Sequence, residues 1–235
     1  MRAVAIIAGF HGSPNDPRPL MDSLRAADCD VCLVGAGGAP AYTQEVQDRI
    51  RWVVTRENRG FECPSFNYAL RFIPWQQYDY VLTLQEDFRL EPGWDAACER
   101  VFGMRPGVGV IGCSAFPFNA PCGCSREEAA GWGYGELAGE IVDSGHWMQF
   151  NSGVWRREVM QQMVASFGGL PNTDSHVINE RVVTLMLTSL GYEFAILPGY
   201  IRHLGGTQGG GAQIFKVGKE AYLWFRRGES GRLAL

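Results

Sequence analysis

Gln85, Glu86 and Asp87 follow directly on Tyr80–Leu84, a nearly continuous apolar run rich in strand formers. Such a run suits a strand covered on both faces, as in the parallel sheets of α/β proteins. Ligands of open α/β sheets bind outside the carboxyl ends of the strands, so two adjacent acids at that point are candidates for holding one. The opposing reading is a solvated acidic turn that caps the next helix, because Glu91-Pro92-Gly93 makes a turn and Trp94–Phe102 has helical spacing. The acids alone do not choose between the two. Other motifs with known chemistry are missing or poor. Gly35, Gly37 and Gly38 do not fit a GxGxxG fingerprint, and there is no GxxxxGK[ST] phosphate loop. Cys29 and Cys32 have redox-motif spacing but fall at a predicted strand, where their side chains point partly apart. Cys122 and Cys124 sit in a Pro/Gly loop. Neither pair has a partner pair at zinc-site spacing, so all four read as buried or loop thiols.

The elements that must position the acids alternate between strand and helix. Ala3–Gly9 reads as the first strand and Pro17–Ala27 as a helix. Asp30–Val34 is the second strand, running into the glycine-rich VGAGGAP, and Trp52–Thr55 is the third. Ser65–Ile73 has helical spacing with Pro64 near its start, and the strand ending at the acids follows. After Phe102, GVGVIGCSAF is another strand. Pro117–Trp147 is loop-like; its rings Trp132, Tyr134 and Trp147 suit either a lid over an acceptor or packing beneath the loop. Met148–Val154 reads as strand or turn, Arg156–Phe167 as a helix, and Thr173-Asp174-Ser175 as a helix start. Val177–Leu190 is an apolar helix stopped at Gly191, and Tyr192–Leu197 is a strand. The last twenty residues, with KEAYLWFRRG, are predicted to fold back as a helix. This alternation is the α/β signature.

At 235 residues, 46% hydrophobic and 20% charged, the chain can form one large α/β domain with a substantial core. No repeat or linker divides residues 1–235. The net charge of −4 gives no electrostatic reason to expect nucleic acid. No apolar stretch reaches the length of a membrane span. The opening MRAVAIIAGF lacks the length and cleavage site of a signal peptide. Seven cysteines, an odd number and scattered, suit reduced thiols and a cytoplasmic location.

The order of features resembles a glycosyltransferase of the GT-A fold, similar to the family-2 nucleotide-sugar transferases, over roughly residues 50 to 206. Four places carry the likeness. Asn58-x-Gly60 followed by Asn67 resembles the family's Asn-x-Gly…Asn segment. Gln85-Glu86-Asp87 stands where the family has Asp-x-Asp. Asn151-Ser152-Gly153-Val154, then Arg156-Arg157, a helix and Gly168-Gly169-Leu170, resembles the family's small-residue turn, arginine and Gly-Gly segment. Asn179-Glu180, an apolar helix, Gly191-Tyr192, a strand and His203-Leu204-Gly205-Gly206 resemble its acidic helix and closing histidine.

The resemblance implies a single GT-A (Rossmann-like) domain with a mixed, mostly parallel central sheet flanked by helices. It also implies a nucleotide-sugar-binding half over 1–105 and an acceptor half over 106–235. It implies transfer of a sugar from a nucleotide sugar, a UDP-sugar foremost, with inversion, to an acceptor hydroxyl. That acceptor is left open among glycan, small molecule, protein and modified nucleic-acid base. A departing nucleoside diphosphate needs its charge offset, which Mn2+ or Mg2+ does as a Lewis acid on hard oxygen ligands and an imidazole. Asp87 and His203 are the expected metal ligands, with Gln85 and Glu86 facing the ribose or donor sugar. Glu180 is the first candidate for the general base, Asp174 the second, and Asp143 an unranked third. Against these stand plainer roles: a loop histidine for His203, a helix-surface acid for Glu180 and a helix cap for Asp174. The family has Glu-Asp where this chain has Asn-Glu. Its second strand ends in acids where this chain has Val34-Gly35-Ala36-Gly37-Gly38, so base recognition falls to backbone groups with Phe10 or His11. Arg56 and Arg59, flanking Asn58, are placed to meet the diphosphate or to be solvated. A nucleotidyltransferase and a non-catalytic sugar- or partner-binding module are the alternatives. GFHGSPNDPR is a poor nucleotidyltransferase signature, and a binding module has no need of an Asp87–His203 metal pair.

Overall fold

The computed structural model describes residues 1–10, 16–38, 48, 50–60, 62–117, 146–148, 153–172, 176–203, 221–226 and 229–234. The first half builds β1 (Ala3–Phe10), α1 (Arg18–Ala26), β2 (Asp30–Ala36), β3 (Trp52–Arg56), α2 (Glu62–Leu70), β4 (Tyr80–Gln85), β5 (Phe88–Leu90) and α3 (Trp94–Met104). The second half builds β6 (Val108–Gly112), β7 (Ala115–Pro117), β8 (His146–Met148), β9 (Gly153–Arg156), α4 (Arg157–Phe167), α5 (His176–Ser189), β10 (Glu193–Ile196), β11 (Ile201–His203), β12 (Ala221–Arg226) and β13 (Glu229–Ala234).

Among the described residues, one nine-stranded sheet runs in the order β13-β12-β10-β6-β9-β4-β1-β2-β3. Strands β1 to β4 are mutually parallel. β9 runs against both β4 and β6, β10 lies parallel to β6, and β12 and β13 close the far edge as an antiparallel hairpin. The sheet is thus mixed and mostly parallel, in a single α/β domain as expected. The chain winds from β1 through β2 to β3 on one side, and β4 returns to the other side of β1. The order therefore reverses between β1 and β4, the place where open α/β sheets open a crevice at their carboxyl ends.

Strand alternation sends side chains to both faces, and both are covered. Val4, Ile6, Cys32, Val34, Val81 and Trp155 pack with α2, α4 and α5. Ala5, Ile7, Leu33, Leu82, Leu84 and Val154 pack with α1 and α3. This double burial explains why β4 reads as a continuous apolar run. Each large apolar side chain buried this way contributes about 1.5–3 kcal/mol. The inserted strand β9 is locked by Trp155, whose buried indole Nε1 donates to Thr83 Oγ1 of β4 at 3.0 Å.

Two expectations are corrected. The predicted C-terminal helix is the β12–β13 hairpin, with β12 paired antiparallel to β10. Its Tyr222 to Arg226 stretch is aromatic-rich, and sheet pairing overrides the helical tendency of the preceding Lys-Glu-Ala. The helix expected over Ser65–Ile73 begins earlier, at Glu62, so that Pro64 lies in its first turn.

Candidate active site

A cavity of about 320 Å³ opens at the β1/β4 switch point. Ala8 and Gly9 of β1 and Ala36 of β2 form a floor with little side-chain bulk. Asn58 and Gly60 come from the loop after β3, Glu62 and Ser65 from α2, and Gln85, Glu86 and Asp87 from the end of β4. The acids are therefore not a solvated turn: Glu86 is 3% exposed, and all three residues Gln85–Asp87 face a concave site.

Asp87 meets His203 by way of a separate two-stranded ribbon. β5 and β11 pair antiparallel in the register Leu90↔Ile201, Arg89↔Arg202 and Phe88↔His203. Asp87 enters the ribbon on one strand, and His203 leaves it on the other. The imidazole Nε2 lies 2.9 Å from Asp87 Oδ2, and its ring is set by Phe88, with centroids 4.7 Å apart. A slip of one residue in this register would turn His203 to the opposite face. Asp87 Oδ1 and His203 Nδ1 are both buried without a hydrogen-bond partner among the described residues.

This donor set fits a hard divalent cation. The 2.9 Å separation is that of an ordinary imidazole–carboxylate hydrogen bond, and the same two groups are of the kinds that ligate divalent cations. Among the described residues no cluster of three His, Cys, Asp or Glu forms a complete cage.

Glu62 was not anticipated from the sequence. It is 5% exposed, it lines the cavity, and its Oε1 has no hydrogen-bond partner among the described residues. Burial, and secondly the nearby charge of Asp87, raise its carboxyl above the ordinary range. The available signal was position: Glu62, Phe66, Ala69 and Leu70 share one buried helix face at i, i+4, i+7 and i+8. An acid in a first helical turn otherwise reads as a partner for the helix dipole.

The other expected residues divide. Asn58, Gly60, Gln85 and Glu86 line the cavity with Asp87. Glu180 is buried on α5, close enough that its charge, after burial and Glu62, helps raise the Cys63 thiol. It is not among the described residues that line the cavity. Asn67 is engaged elsewhere: its Nδ2 donates to Leu170 O at 2.7 Å, and its Oδ1 accepts from Leu170 N at 2.8 Å. Arg56 turns back on its own loop, donating through Nη1 to Glu57 O at 3.1 Å and to Arg59 O at 3.0 Å. It shapes the turn that carries Asn58. Arg59 pairs with Glu57 on the surface. Arg156 lies opposite Tyr80 in the β4–β9 register, roughly 16 Å from the acid end of β4. There it donates to Val108 O and Phe102 O. Trp147 is buried against the Arg181 guanidinium, 5.6 Å from its ring centroid, so it packs under the chain and is not a lid. His11, Asp174, Asp143, Asn151, Ser152, Trp132, Tyr134, Cys122 and Cys124 lie outside the described residues, as does the side chain of Phe10.

No family model matches the chain, and no curated protein matches it. Three solved structures show the kind of fold it resembles. One is a mannosyltransferase from Pyrobaculum calidifontis in complex with GDP-Man and Mn2+, at 18% identity over 81% of this chain and 53% of that one, with a TM-score of 0.46. Another is TarS 1-349 of S. aureus in complex with UDP-GlcNAc, at 9% identity over 79% and 54%, with a TM-score of 0.48. A third is mannosyl-3-phosphoglycerate synthase from Rubrobacter xylanophilus, at 13% identity over 99% and 87%, with a TM-score of 0.43. The chain spans about half the length of the first two. Among the described residues no helix is long and apolar enough to cross a membrane.

Proposed function

We propose that the chain is a metal-dependent glycosyltransferase that moves a sugar from a nucleoside-diphosphate sugar to an acceptor hydroxyl with inversion. The observation that carries this reading is the Asp87–His203 pair, 2.9 Å apart, whose Asp87 follows β4 and lines the switch-point cavity. Asp87 would hold Mn2+ or Mg2+ through a carboxylate oxygen, and His203 through its neutral imidazole nitrogen. When bound, the ion supplies positive charge against the charge growing on the departing diphosphate. The low floor of Ala8, Gly9 and Ala36 accepts the nucleoside, while Asn58, Gln85 and Glu86 offer hydrogen bonds to the donor. Five free thiols among the described residues accord with a reducing, cytoplasmic setting.

In a single displacement the acceptor oxygen bonds to the anomeric carbon as the bond to the diphosphate breaks, and a base takes the hydroxyl proton. Glu180 is assigned that role, with Asp174 as second candidate and Asp143 behind it. Calorimetric titration with UDP, GDP, CDP and dTDP, with Mn2+ and then with chelator, tests the donor class. One diphosphate should bind only with metal; binding by none of the four refutes the reading. Once a donor is known, Glu180→Gln should keep its affinity and lower kcat by about 10²–10⁴-fold. An unchanged kcat would pass the role to Asp174 or Asp143.

A further inference from the structure

Glu62 has no part in the chemistry above, yet its carboxyl oxygen Oε1 is buried, lines the cavity and lacks a hydrogen-bond partner among the described residues. The carboxyl takes a hydrogen bond from its own backbone N–H, but a buried oxygen left without a donor, as Oε1 is, costs stability unless a ligand satisfies it. Evolution of a core would sooner place an apolar residue there, because the rest of the α2 face, Phe66, Ala69 and Leu70, is apolar. The position within the site indicates what the ligand offers. α2 packs on β1 and β2, whose ends, Ala8, Gly9 and Ala36, make the smooth floor. On the other side Glu62 is near enough to Asp87 for the two charges to act on each other. Glu62 thus shares one cavity with the floor that suits a flat ring and with the Asp87 that suits a metal-bound diphosphate. In a nucleoside diphosphate the group between those two is the ribose.

We propose that Glu62 is the residue that recognises the ribose diol of the nucleotide, its carboxylate accepting hydrogen bonds from the 2′- and 3′-hydroxyls. This rests on the donor assignment made above. A carboxylate has two acceptor oxygens, which suits a neighbouring pair of hydroxyl donors. In dinucleotide-binding α/β folds an acid takes the ribose 2′-hydroxyl by the same chemistry, though from a strand end. Here the second strand ends in Gly35, Ala36 and Gly37 and offers no acid, so the carboxylate arrives from the facing helix.

The test compares UDP with 2′-deoxy-UDP, and GDP with 2′-deoxy-GDP, by titration calorimetry in the presence of Mn2+, on the wild type, Glu62→Gln and Glu62→Ala. The wild type should favour the ribonucleotide by about 10–100-fold, the cost of a buried charged acceptor left without its donor. Glu62→Ala should bind both forms within about twofold of each other, and Glu62→Gln should keep a reduced preference. The ligand-free variants should melt no lower than the wild type, because the residue serves the ligand and not the fold. Equal binding of ribo and deoxy forms by the wild type overturns the assignment, and so does a preference that survives in Glu62→Ala. A melting temperature that falls in both variants makes Glu62 a structural residue and overturns it too. Failure of every diphosphate to bind the wild type strikes at the donor reading itself, which separates the two outcomes.

Discussion

Replacing Asn67 by alanine would remove both hydrogen bonds that join α2 to the turn at Leu170. Leu170 is 4% exposed, so its N–H and C=O would be left without water. Each such bond contributes about 0.5–1.5 kcal/mol net, and a stranded buried group costs about 1–3 kcal/mol. The combined loss should be about 3 kcal/mol, which for a chain of this size lowers Tm by roughly 6–12 °C. The neighbouring glycine supplies an internal control. Gly169 has φ +126°, and a Cβ there would be driven into Asn67 Oδ1 and lie 3.0 Å from its Cγ. Gly169→Ala alone should therefore be destabilising through clash and backbone strain together. In the double variant the clash is gone, so the combined loss should fall short of the sum of the two singles by about 1 kcal/mol or more. Urea unfolding of the four proteins measures the cycle, with nucleotide affinity followed in parallel. The clamp predicts a large stability loss with unchanged affinity. A variant that keeps its stability but loses nucleotide binding would refute it and return Asn67 to the donor site.

Two further outcomes follow from buried groups. Burial raises the Glu62 carboxyl, so between its ordinary value and the folded value the folded chain binds more protons there than the unfolded chain, and above the folded value it is a carboxylate in both. Its stability contribution is thus complete below the ordinary value of 4.5 and falls as pH rises toward the folded value. Glu62→Gln should accordingly gain Tm relative to the wild type on going from pH 4.5 to 8; parallel profiles would mean the carboxyl is solvated. In Gly153→Ala the new Cβ would lie 2.8 Å from Trp155 Nε1 and 3.0 Å from Val110 Cγ2. Overpacking of that kind costs about 1–3 kcal/mol, and a variant that unfolds in urea at the wild-type midpoint would show that β9 can shift.

The strand that ends at the acids was legible because a doubly covered strand has to be apolar throughout, and Tyr80–Leu84 is. β1 and β2 could be read for the same reason, whereas β3 is an edge strand with exposed and half-buried residues alternating. The β5–β11 ribbon could not. Three-residue strands carry too little pattern, and what makes them strands is a pairing between residues far apart in the chain. The placement of His203 beside Asp87 thus came from family resemblance, with no local signal to support it. The insertion of β9 between β4 and β6 is hidden in the same way. Glu62 was overlooked because one acid at a helix start has an ordinary explanation, and only the burial of its helix face sets it apart. Asn67 and Arg56 matched the family pattern by type and spacing, but their polar atoms are taken up by Leu170 and by the carbonyls of residues 57 and 59. Residue type fixes what a side chain can bond, and the neighbouring backbone decides where it does.

Asp87 and His203 are proposed to hold together a divalent cation that a nucleoside diphosphate completes. Electron paramagnetic resonance of free Mn2+ measures this without turnover. With the diphosphate that the titrations select, the wild type should deplete the free Mn2+ signal, while Asp87→Asn and His203→Ala should each leave it nearly undiminished and still melt cooperatively. Depletion by both folded variants at the wild-type level would contradict the metal site and, with it, the proposed chemistry.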